Sequence, residues 1–195
     1  DFFLSKTGSA DGILAAEQWL SLPEYSLFEA VNGRVFLDNF GEFSKIRERL
    51  LYYPEDIRLK KLAGNLLLMA QSGQYNFERS LKRGESAAAQ MAVFEFAKSA
   101  MATLFLLNKQ YMPYYKWSFH ALCESINEGT DLADKLEFLL TTNNKENNIK
   151  QKSKIIESIC AFVTEALQNQ GLTHSDSVEM ERQAYIINDK ISDNK

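Results

Sequence analysis

Proline and glycine are scarce in this sequence, with three prolines and nine glycines among 195 residues. Proteins built from many short strands need frequent turns, and turns use both residues heavily. The scarcity therefore counts against a β-sandwich or a β-barrel and favours long helices. Hydrophobic residues make up 45% of the chain and charged residues 25%. This balance is typical of a globular protein, and the length is sufficient for one sizeable core.

Residues that bind metals or form disulfides are equally few. Cys123 and Cys160 lie far apart within helical patterns, so nothing indicates a secreted disulfide framework, and we predict a cytoplasmic protein. Two cysteines and two histidines without clustered spacing predict no metal site. We interpret His120 and Cys123, three residues apart on one helical face, as packing residues. Phosphate-binding glycine loops of the common kinds are absent as well.

A long apolar run and an excess of positive charge are also missing. No apolar run reaches the roughly 18 residues that cross a bilayer, so we predict no membrane association. The net charge is -4, which counts against nucleic acid as a partner. The chain begins with Asp1 rather than methionine and ends directly after a helical pattern, and we interpret it as a segment of a longer protein.

Residues 1–43 form a short mixed leading segment, which we interpret as the tail end of a preceding domain or a linker. Phe2–Leu4 is predicted to be the end of a strand, and a short amphipathic helix follows around Trp19. Asn32-Gly33 suits either a hairpin turn or the end of a helix that begins after Pro23. We favour the helix, followed by a short extended stretch at Val35–Leu37.

Residues 44–195 are predicted to form an all-α domain, a bundle of about eight helices. Ser44 is a candidate N-cap, and Gly73 is predicted to break or kink a helix that begins near Glu55. The segment from Glu85 to Gln110 is apolar nearly all round, which is typical of a buried central helix. The polar stretch Thr142–Asn148 is predicted to be a solvated linker.

An abrupt change from apolar to hydrogen-bonding side chains follows Leu66–Met69. A helix that buries one end and presents polar groups at the other is well placed to line a pocket at the edge of a core. The candidate substrate- or nucleotide-binding residues in this run are Gln71, Gln74, Tyr75, Asn76, Arg79 and Arg83. A hydrogen-bonded network between helices is the structural alternative.

Two further groups carry candidate chemistry. Glu95 and Lys98 lie three residues apart on the predicted central helix, either as a salt bridge or with Glu95 as a general base and Lys98 facing phosphate. Aromatic residues crowd around Pro113, and Tyr115 with Lys116 can bind a ring beside a phosphate or can simply belong to the core.

Four separated motifs resemble the bacterial DUF4037 proteins, relatives of aminoglycoside and streptomycin nucleotidyltransferases. They are Gly33–Asp38, Arg49–Asp56, Gln71–Asn76 and Leu106–Trp117. The resemblance implies an N-terminal nucleotidyltransferase sheet, whose aspartates hold magnesium on a nucleoside triphosphate, and a helical domain that helps to select the acceptor. Gly8-Ser9-Ala10-Asp11 is the nearest string to the catalytic motif, but its acidic partner is missing.

The resemblance therefore implies an acceptor- and nucleotide-binding helical domain without its catalytic domain. Such a segment alone is expected to be inactive, with no cofactor of its own, and its partners are expected to be a small-molecule acceptor, a nucleotide and the missing N-terminal domain. Lys116, directly before Trp117, resembles a triphosphate-contacting lysine of related enzymes, and Glu95 is the candidate base. The alternative function is a helical protein-interaction or nucleotide-sensing module without catalysis, and an oligomer is possible in either case.

Overall fold

The computed structural model describes residues 2–192, and within this range the chain is helical without a β-strand, which confirms the predicted all-α class. The segments α5, π1 and α6 follow one another without a break, so the described residues form ten continuous helical segments, eight of them seven residues or longer. The elements are α1 Phe2–Thr7, α2 Ala16–Ser21, α3 Glu24–Val31, α4 Glu42–Arg49, α5 Glu55–Met69, the π-helix π1 Ala70–Asn76, α6 Phe77–Lys82, α7 Ser86–Leu107, α8 Tyr115–Ser125, α9 Gly129–Thr141, α10 Glu146–Asn169 and α11 Met180–Asn188.

Helix α7 is the centre of the fold, as its apolar pattern predicts. It is buried on nearly all sides from Ala97 to Leu107, and Phe96, Ala100 and Leu104 are at most 1% exposed. By length and composition α7 can also cross a membrane, but 72% of its most apolar window is buried inside this fold. Burial on that scale is typical of the core helix of a globular protein.

The other helices are arranged around α7. Helix α5 packs on α7 with one face and on α11 with another, while π1, α6, α9 and α10 also contact α7. Helix α8 packs on α9 and follows the Pro113 junction that ends the long central helix. The junction between α7 and α8 therefore lies at one end of the core helix, beside the start of α3.

The leading segment is helical, and the predicted strand end at Phe2–Leu4 is wrong. Phe3 and Thr7 lie one helical turn apart and are both buried, so a helix places both against the core where a strand could not. Helix α3 ends at Val31, before Gly33, and no strand flanks Gly33 in the described residues, which confirms the predicted helix over the hairpin. Buried residues on both sides of residue 43 belong to one hydrophobic core, while the division into two domains stays a prediction.

Gly73 does not break the helix, so the break that the sequence suggested is wrong, while the kink that it offered as the alternative stays a prediction. The chain instead widens into π1 and continues into α6, and Ser72 Oγ donates a hydrogen bond to the Leu68 carbonyl one turn earlier. A Cβ atom at Gly73 would lie 2.2 Å from Cδ2 of Phe96. The glycine is therefore needed for close contact with α7 rather than for a turn.

The predicted linker at Thr142–Asn148 is only partly solvated. Helix α10 begins at Glu146, and the preceding turn folds over the fully buried side chain of Lys152. The ammonium group donates to the Thr142 carbonyl at 2.7 Å, to Asn144 Oδ1 at 2.9 Å and to Gln90 Oε1 at 2.8 Å. Burial lowers the pKa of Lys152. Ser44, the predicted N-cap, lies inside α4, whose N-cap is Gly41.

Candidate functional site

A cavity of about 380 Å³ lies where α3, α5, α7 and the α7–α8 junction meet. We call it the tyrosine cavity. Three tyrosines stand in a row along it: the ring centroids of Tyr25 and Tyr114 are 5.3 Å apart, and those of Tyr114 and Tyr115 are 4.5 Å apart. The rings are between 39% and 74% exposed. Its lining residues are Glu24, Tyr25, Asn65, Lys98, Ala102, Met112, Pro113, Tyr114 and Tyr115.

An apolar cavity of about 310 Å³ adjoins the tyrosine cavity. Lys98, Met112 and Tyr115 line both cavities, so the ammonium group and one exposed ring stand at their shared boundary. The remaining lining of the second cavity is almost entirely apolar, from Phe94, Met101 and other residues of α7, α8 and α9. Apolar space next to a few polar groups is the usual composition of a small-molecule site.

Glu24 gives the tyrosine cavity a buried carboxyl group. Its Oε2 atom is inaccessible to solvent and has no hydrogen-bond partner among the described residues. Burial raises the pKa of Glu24, and the Lys61 ammonium and the nearby Met112 backbone only partly offset this. Burial also lowers the pKa of Lys61. The surroundings thus favour the neutral form of both groups.

Behind Glu24 lies a cluster of buried tyrosines. Tyr52 donates to the Leu106 carbonyl at 3.1 Å and Tyr111 to the Leu50 carbonyl at 2.8 Å. The Tyr53 hydroxyl is buried without a partner among the described residues, and the Lys61 ammonium lies 5.2 Å from its ring centroid. Burial raises the pKa of all three tyrosines. The back of the site is therefore formed by aromatic rings packed against one another.

Gln71, Asn76 and Glu95 lie together in a different place. They line an open groove of about 360 Å³ between π1 and α7. Gln71 and Asn76 are exposed there and Glu95 is half-buried. The groove and the tyrosine cavity have no lining residue in common. The predicted base and the predicted phosphate-binding lysine, three residues apart on α7, therefore face different cavities.

Gln74 has a structural role within the fold. Its amide nitrogen donates to the Val178 carbonyl at 2.9 Å and to Glu157 Oε2 at 3.1 Å, and its amide oxygen accepts from the Met180 backbone N–H at 3.0 Å. Met180 is the first residue of α11, so Gln74 connects π1 to α10 and to the start of α11. The interaction matches the interhelical network that the sequence left as the alternative.

The other predicted site residues lie outside the tyrosine cavity, except Lys98 and Tyr115. Tyr75 and Arg79 contact each other on the surface, with the guanidinium 5.0 Å from the ring centroid and hydrogen-bonded to the hydroxyl. Arg83 is exposed just after α6. Lys116 is exposed beside Trp117, with its ammonium 5.9 Å from that ring centroid. The structure therefore brings two of the ten predicted residues into the tyrosine cavity and three into the π1–α7 groove.

The family model described as "Domain of unknown function (DUF4037)" matches residues 19–118. The chain belongs to the DUF4037 family. Neither the comparison with curated proteins nor the comparison with solved structures gives a match.

The DUF4037 match covers every residue that lines the tyrosine cavity and every residue predicted from the sequence as part of a site. It extends from α2 into α8 and leaves out most of α8 and all of α9 to α11. Within DUF4037 the candidate site thus lies at the junction of α3, α7 and α8. A further groove lies between Gln74 and α11. Part of its lining comes from residues outside the DUF4037 match.

Sequence reasoning missed Glu24, Tyr25 and Asn65 of this DUF4037 site. Glu24 follows Pro23 at a helix start, where an acidic residue is ordinary because it interacts favourably with the helix dipole. Nothing local distinguishes it from a surface glutamate, since only the packing of α3 against the α7–α8 junction buries it. The tyrosines around Pro113 are the one feature of the sequence that points to this site. Tyr25 joins them only through the packing of α3 in the folded chain.

Proposed function

We propose that this chain is the helical ligand-binding domain of a nucleotidyltransferase-like protein, and that it binds a nucleotide or the acceptor in the tyrosine cavity. The single observation that carries the proposal is the row of Tyr25, Tyr114 and Tyr115 next to Lys98 in one cavity. Exposed ring faces provide stacking for a base or a sugar, and an ammonium group beside them offsets phosphate charge. The resemblance of the chain to nucleotidyltransferases supports the same ligand class.

Two lining groups have a proposed role in binding. Tyr115 stacks on the ring of the ligand, and Lys98, at the boundary with the apolar cavity, binds a phosphate oxygen. Glu24 lines the cavity with its Oε2 atom inaccessible to solvent, so we assign it no direct bond to the ligand. Glu95 faces the π1–α7 groove, so we assign it no step in this cavity.

Magnesium and a nucleoside triphosphate are implied for the intact protein, where the proposed catalytic domain would hold them. Residues 2–192 contain no group of three or more His, Cys, Asp or Glu side chains that could hold a metal ion. The proposed contribution of this domain is ligand binding, and we derive no step through the metal.

Isothermal titration calorimetry with ATP, GTP, CTP and UTP, each with and without magnesium, tests the proposal. We expect saturable binding of at least one nucleotide. Lys98→Ala should weaken it by about tenfold to a hundredfold, the usual loss for a hydrogen bond to a charged group. Tyr115→Leu should weaken it by a similar factor through lost stacking.

The matched controls are Lys116→Ala and Lys82→Ala, which remove an exposed ammonium outside the tyrosine cavity. Both controls should bind like the unmodified chain. The assignment of a nucleotide as the ligand fails if no nucleotide binds, and the assignment to the tyrosine cavity fails if Lys116→Ala abolishes binding while Lys98→Ala does not affect it.

A second candidate is the helical protein-interaction or nucleotide-sensing module. Gln74, at the centre of the predicted polar wall, is fully used in hydrogen bonds to α10 and α11. That is the pattern expected when the polar run holds helices together rather than binding a ligand. Calorimetry separates the possibilities, because an interaction module gives no nucleotide binding, whereas a sensing module binds nucleotide but transfers nothing when the catalytic domain is supplied.

A further inference from the structure

An apolar extended segment stands out on the surface between α3 and α4. We call Arg34–Asp38 the RVFLD segment. Phe36 is 92% exposed and Leu37 78% exposed, and nearby Phe40 is 86% exposed. Within residues 2–192 no hydrogen bond uses the backbone N–H or C=O groups of Arg34, Val35, Phe36 or Leu37. Apolar side chains and free backbone groups together are the features of an unpaired strand.

Both ends of the segment are held in place. The Arg47 guanidinium donates to the carbonyl of Val31 and, at 2.6 Å, to the carbonyl of Gly33. At the other end, Asp38 Oδ2 accepts from the Ser44 backbone N–H at 2.8 Å, and the Gly41 N–H donates to the Asp38 carbonyl at 3.2 Å. A segment that is held at both ends loses less conformational entropy on pairing than a free one.

The order of residues in the segment is complementary to itself. When two copies run antiparallel with a two-fold axis at Phe36, Arg34 lies opposite Asp38 of the second copy, and Val35 lies opposite Leu37 of the second copy. Phe36 then lies opposite itself. Opposite charges, aliphatic pairs and aromatic pairs are the cross-strand pairs that stabilise antiparallel sheets. We propose that the RVFLD segments of two copies of this chain pair in this register and form a symmetric homodimer.

The exposed area agrees with a weak dimer. Phe36, Leu37 and Phe40 from both copies together expose on the order of 1,000 Å² of accessible surface, which is an upper limit for the contact because successive side chains of a strand lie on opposite faces. That value lies at the lower end of specific interfaces. A closed two-fold contact also covers the free strand edge on both copies at once, so it leaves no edge for further chains.

Sedimentation velocity from about 1 µM to about 1 mM, the range in which weak interfaces are expected, tests the proposal. We expect a monomer–dimer equilibrium. Phe36→Asp should weaken the dimer about a hundredfold or more, because it places two carboxylates opposite each other at the axis. Met91→Asp is the control, since Met91 is 73% exposed on α7 outside the segment. It should leave the dimer unchanged.

A charge-exchange experiment tests the register. Arg34→Asp alone brings two carboxylates opposite each other, and Asp38→Arg alone brings two guanidinium groups opposite each other. Each variant alone should be monomeric, whereas an equimolar mixture should form a heterodimer, because both ionic pairs are restored between the two chains. Far-UV circular dichroism checks that Asp38→Arg, which removes the acceptor for the Ser44 N–H, remains folded.

A covalent test does not depend on Asp38. In a Cys123→Ser background, Phe36→Cys should form an intermolecular disulfide on oxidation, because directly opposite residues of antiparallel strands lie within disulfide range. Met91→Cys in the same background should not. A monomer at all concentrations overturns the proposal. The segment would then pair with the sheet edge of another protein. A dimer that survives Phe36→Asp overturns it as well, because a different surface then joins the copies.

Discussion

Tyr53 and Tyr111 are neighbouring buried tyrosines whose hydroxyl groups have opposite surroundings. Their ring centroids are 4.8 Å apart. The Tyr111 hydroxyl donates to the Leu50 carbonyl, while the Tyr53 hydroxyl has no partner among the described residues. The two side chains therefore form a pair in which only the Tyr111 hydroxyl has a hydrogen-bond partner within residues 2–192.

The pair predicts different effects of the same substitution. Tyr111→Phe should lower the free energy of unfolding by about 1 kcal/mol, because it leaves the Leu50 carbonyl unpaired. Tyr53→Phe should be neutral or should stabilise by up to about 1 kcal/mol, because it removes a buried hydroxyl without a partner. Urea unfolding followed by circular dichroism measures both values. An equal loss in the two variants would show that Tyr53 has a partner in solution.

The same cluster predicts loss of stability in alkali. Burial raises the pKa of Tyr52, Tyr53 and Tyr111 above the ordinary value of 10.0. Above about pH 10 the unfolded chain loses these protons while the folded chain keeps them, so the free energy of unfolding falls by up to about 1.4 kcal/mol per pH unit for each tyrosine.

Lys61 and Lys152 act in the opposite direction at lower pH. Burial lowers the pKa of both, so between the lowered pKa and the ordinary value of 10.5 the unfolded chain binds more protons and stability rises with pH. Urea midpoints measured from about pH 9 to about pH 11.5 report the sum. Tyr53→Phe should reduce the alkaline slope by about one proton, and an unchanged slope would contradict the assignment.

Two glycines of the continuous helix α5–π1–α6 differ in whether a larger residue fits at their position. Gly73 in π1 contacts the Phe96 ring so closely that an added Cβ would lie 2.2 Å from it, whereas a Cβ at Gly64, in the middle of α5, would have no neighbour within 4 Å. Neither residue has a positive φ. The two positions differ in packing alone.

Gly73→Ala should therefore destabilise the fold by about 1–3 kcal/mol through overpacking. Gly64→Ala should stabilise it by up to about 1 kcal/mol, because alanine is the better helix former. Adding Phe96→Leu to Gly73→Ala should recover part of the loss relative to Phe96→Leu alone. Thermal unfolding measures all four variants, and additive effects of the two substitutions would contradict the contact.

Hydrophobic periodicity predicts a helix well when its burial follows from its own sequence. It predicts poorly when contacts with a neighbouring helix determine the local structure. The apolar pattern of α7 and the stop at Gly33 depend on local sequence, and both predictions are confirmed. The predicted break at Gly73 is wrong because the local sequence suggests no other purpose for a glycine there. Its purpose is close contact with Phe96, which belongs to a different helix. The turn over Lys152 escapes prediction for the same reason, since Gln90 lies on α7.

The candidate site is predictable only in part, for a related reason. Lys98 and Tyr115 are predicted from separate motifs and line one cavity in the structure. Glu24 and Asn65 come from α3 and α5, and only tertiary packing brings them there. Gln74 is predicted to face a ligand, but an amide in a polar run suits ligand binding and hydrogen bonding between helices equally well. In the structure Gln74 donates to the Val178 carbonyl and accepts from the Met180 N–H, about a hundred residues away in sequence, and the local sequence predicts neither contact.

The whole molecule has a single hydrophobic core that includes the leading segment. Trp19 is 5% exposed, and its ring centroid lies 5.7 Å from that of Tyr53. Phe3 and Leu27 belong to the same core as the residues of α5 and α7. Trp117, in contrast, is 58% exposed on α8. The two tryptophans therefore report on the two sides of the predicted division at residues 43 and 44.

These tryptophans predict one cooperative unfolding transition. In Trp117→Phe only Trp19 fluoresces, and in Trp19→Phe only Trp117 does. Within each variant, the urea midpoint by fluorescence should coincide with the midpoint by far-UV circular dichroism, because a shared core unfolds as a unit. A Trp19 transition that precedes the loss of helix would instead support residues 1–43 as a separate tail or linker.

Helix π1 also has a consequence for insertions and deletions. A π-helical turn holds more residues than an α-helical turn, so it accommodates an inserted residue without interrupting the helix. If one residue of π1 were deleted and the helix closed into α geometry, the remaining residues would turn through nearly the same total angle, because each residue turns further in an α-helix than in a π-helix. Phe77, which is 1% exposed, would therefore stay on the core face of α6. A relative or an engineered variant that is one residue shorter here can lose the π-helix and still keep its buried aromatic in the core.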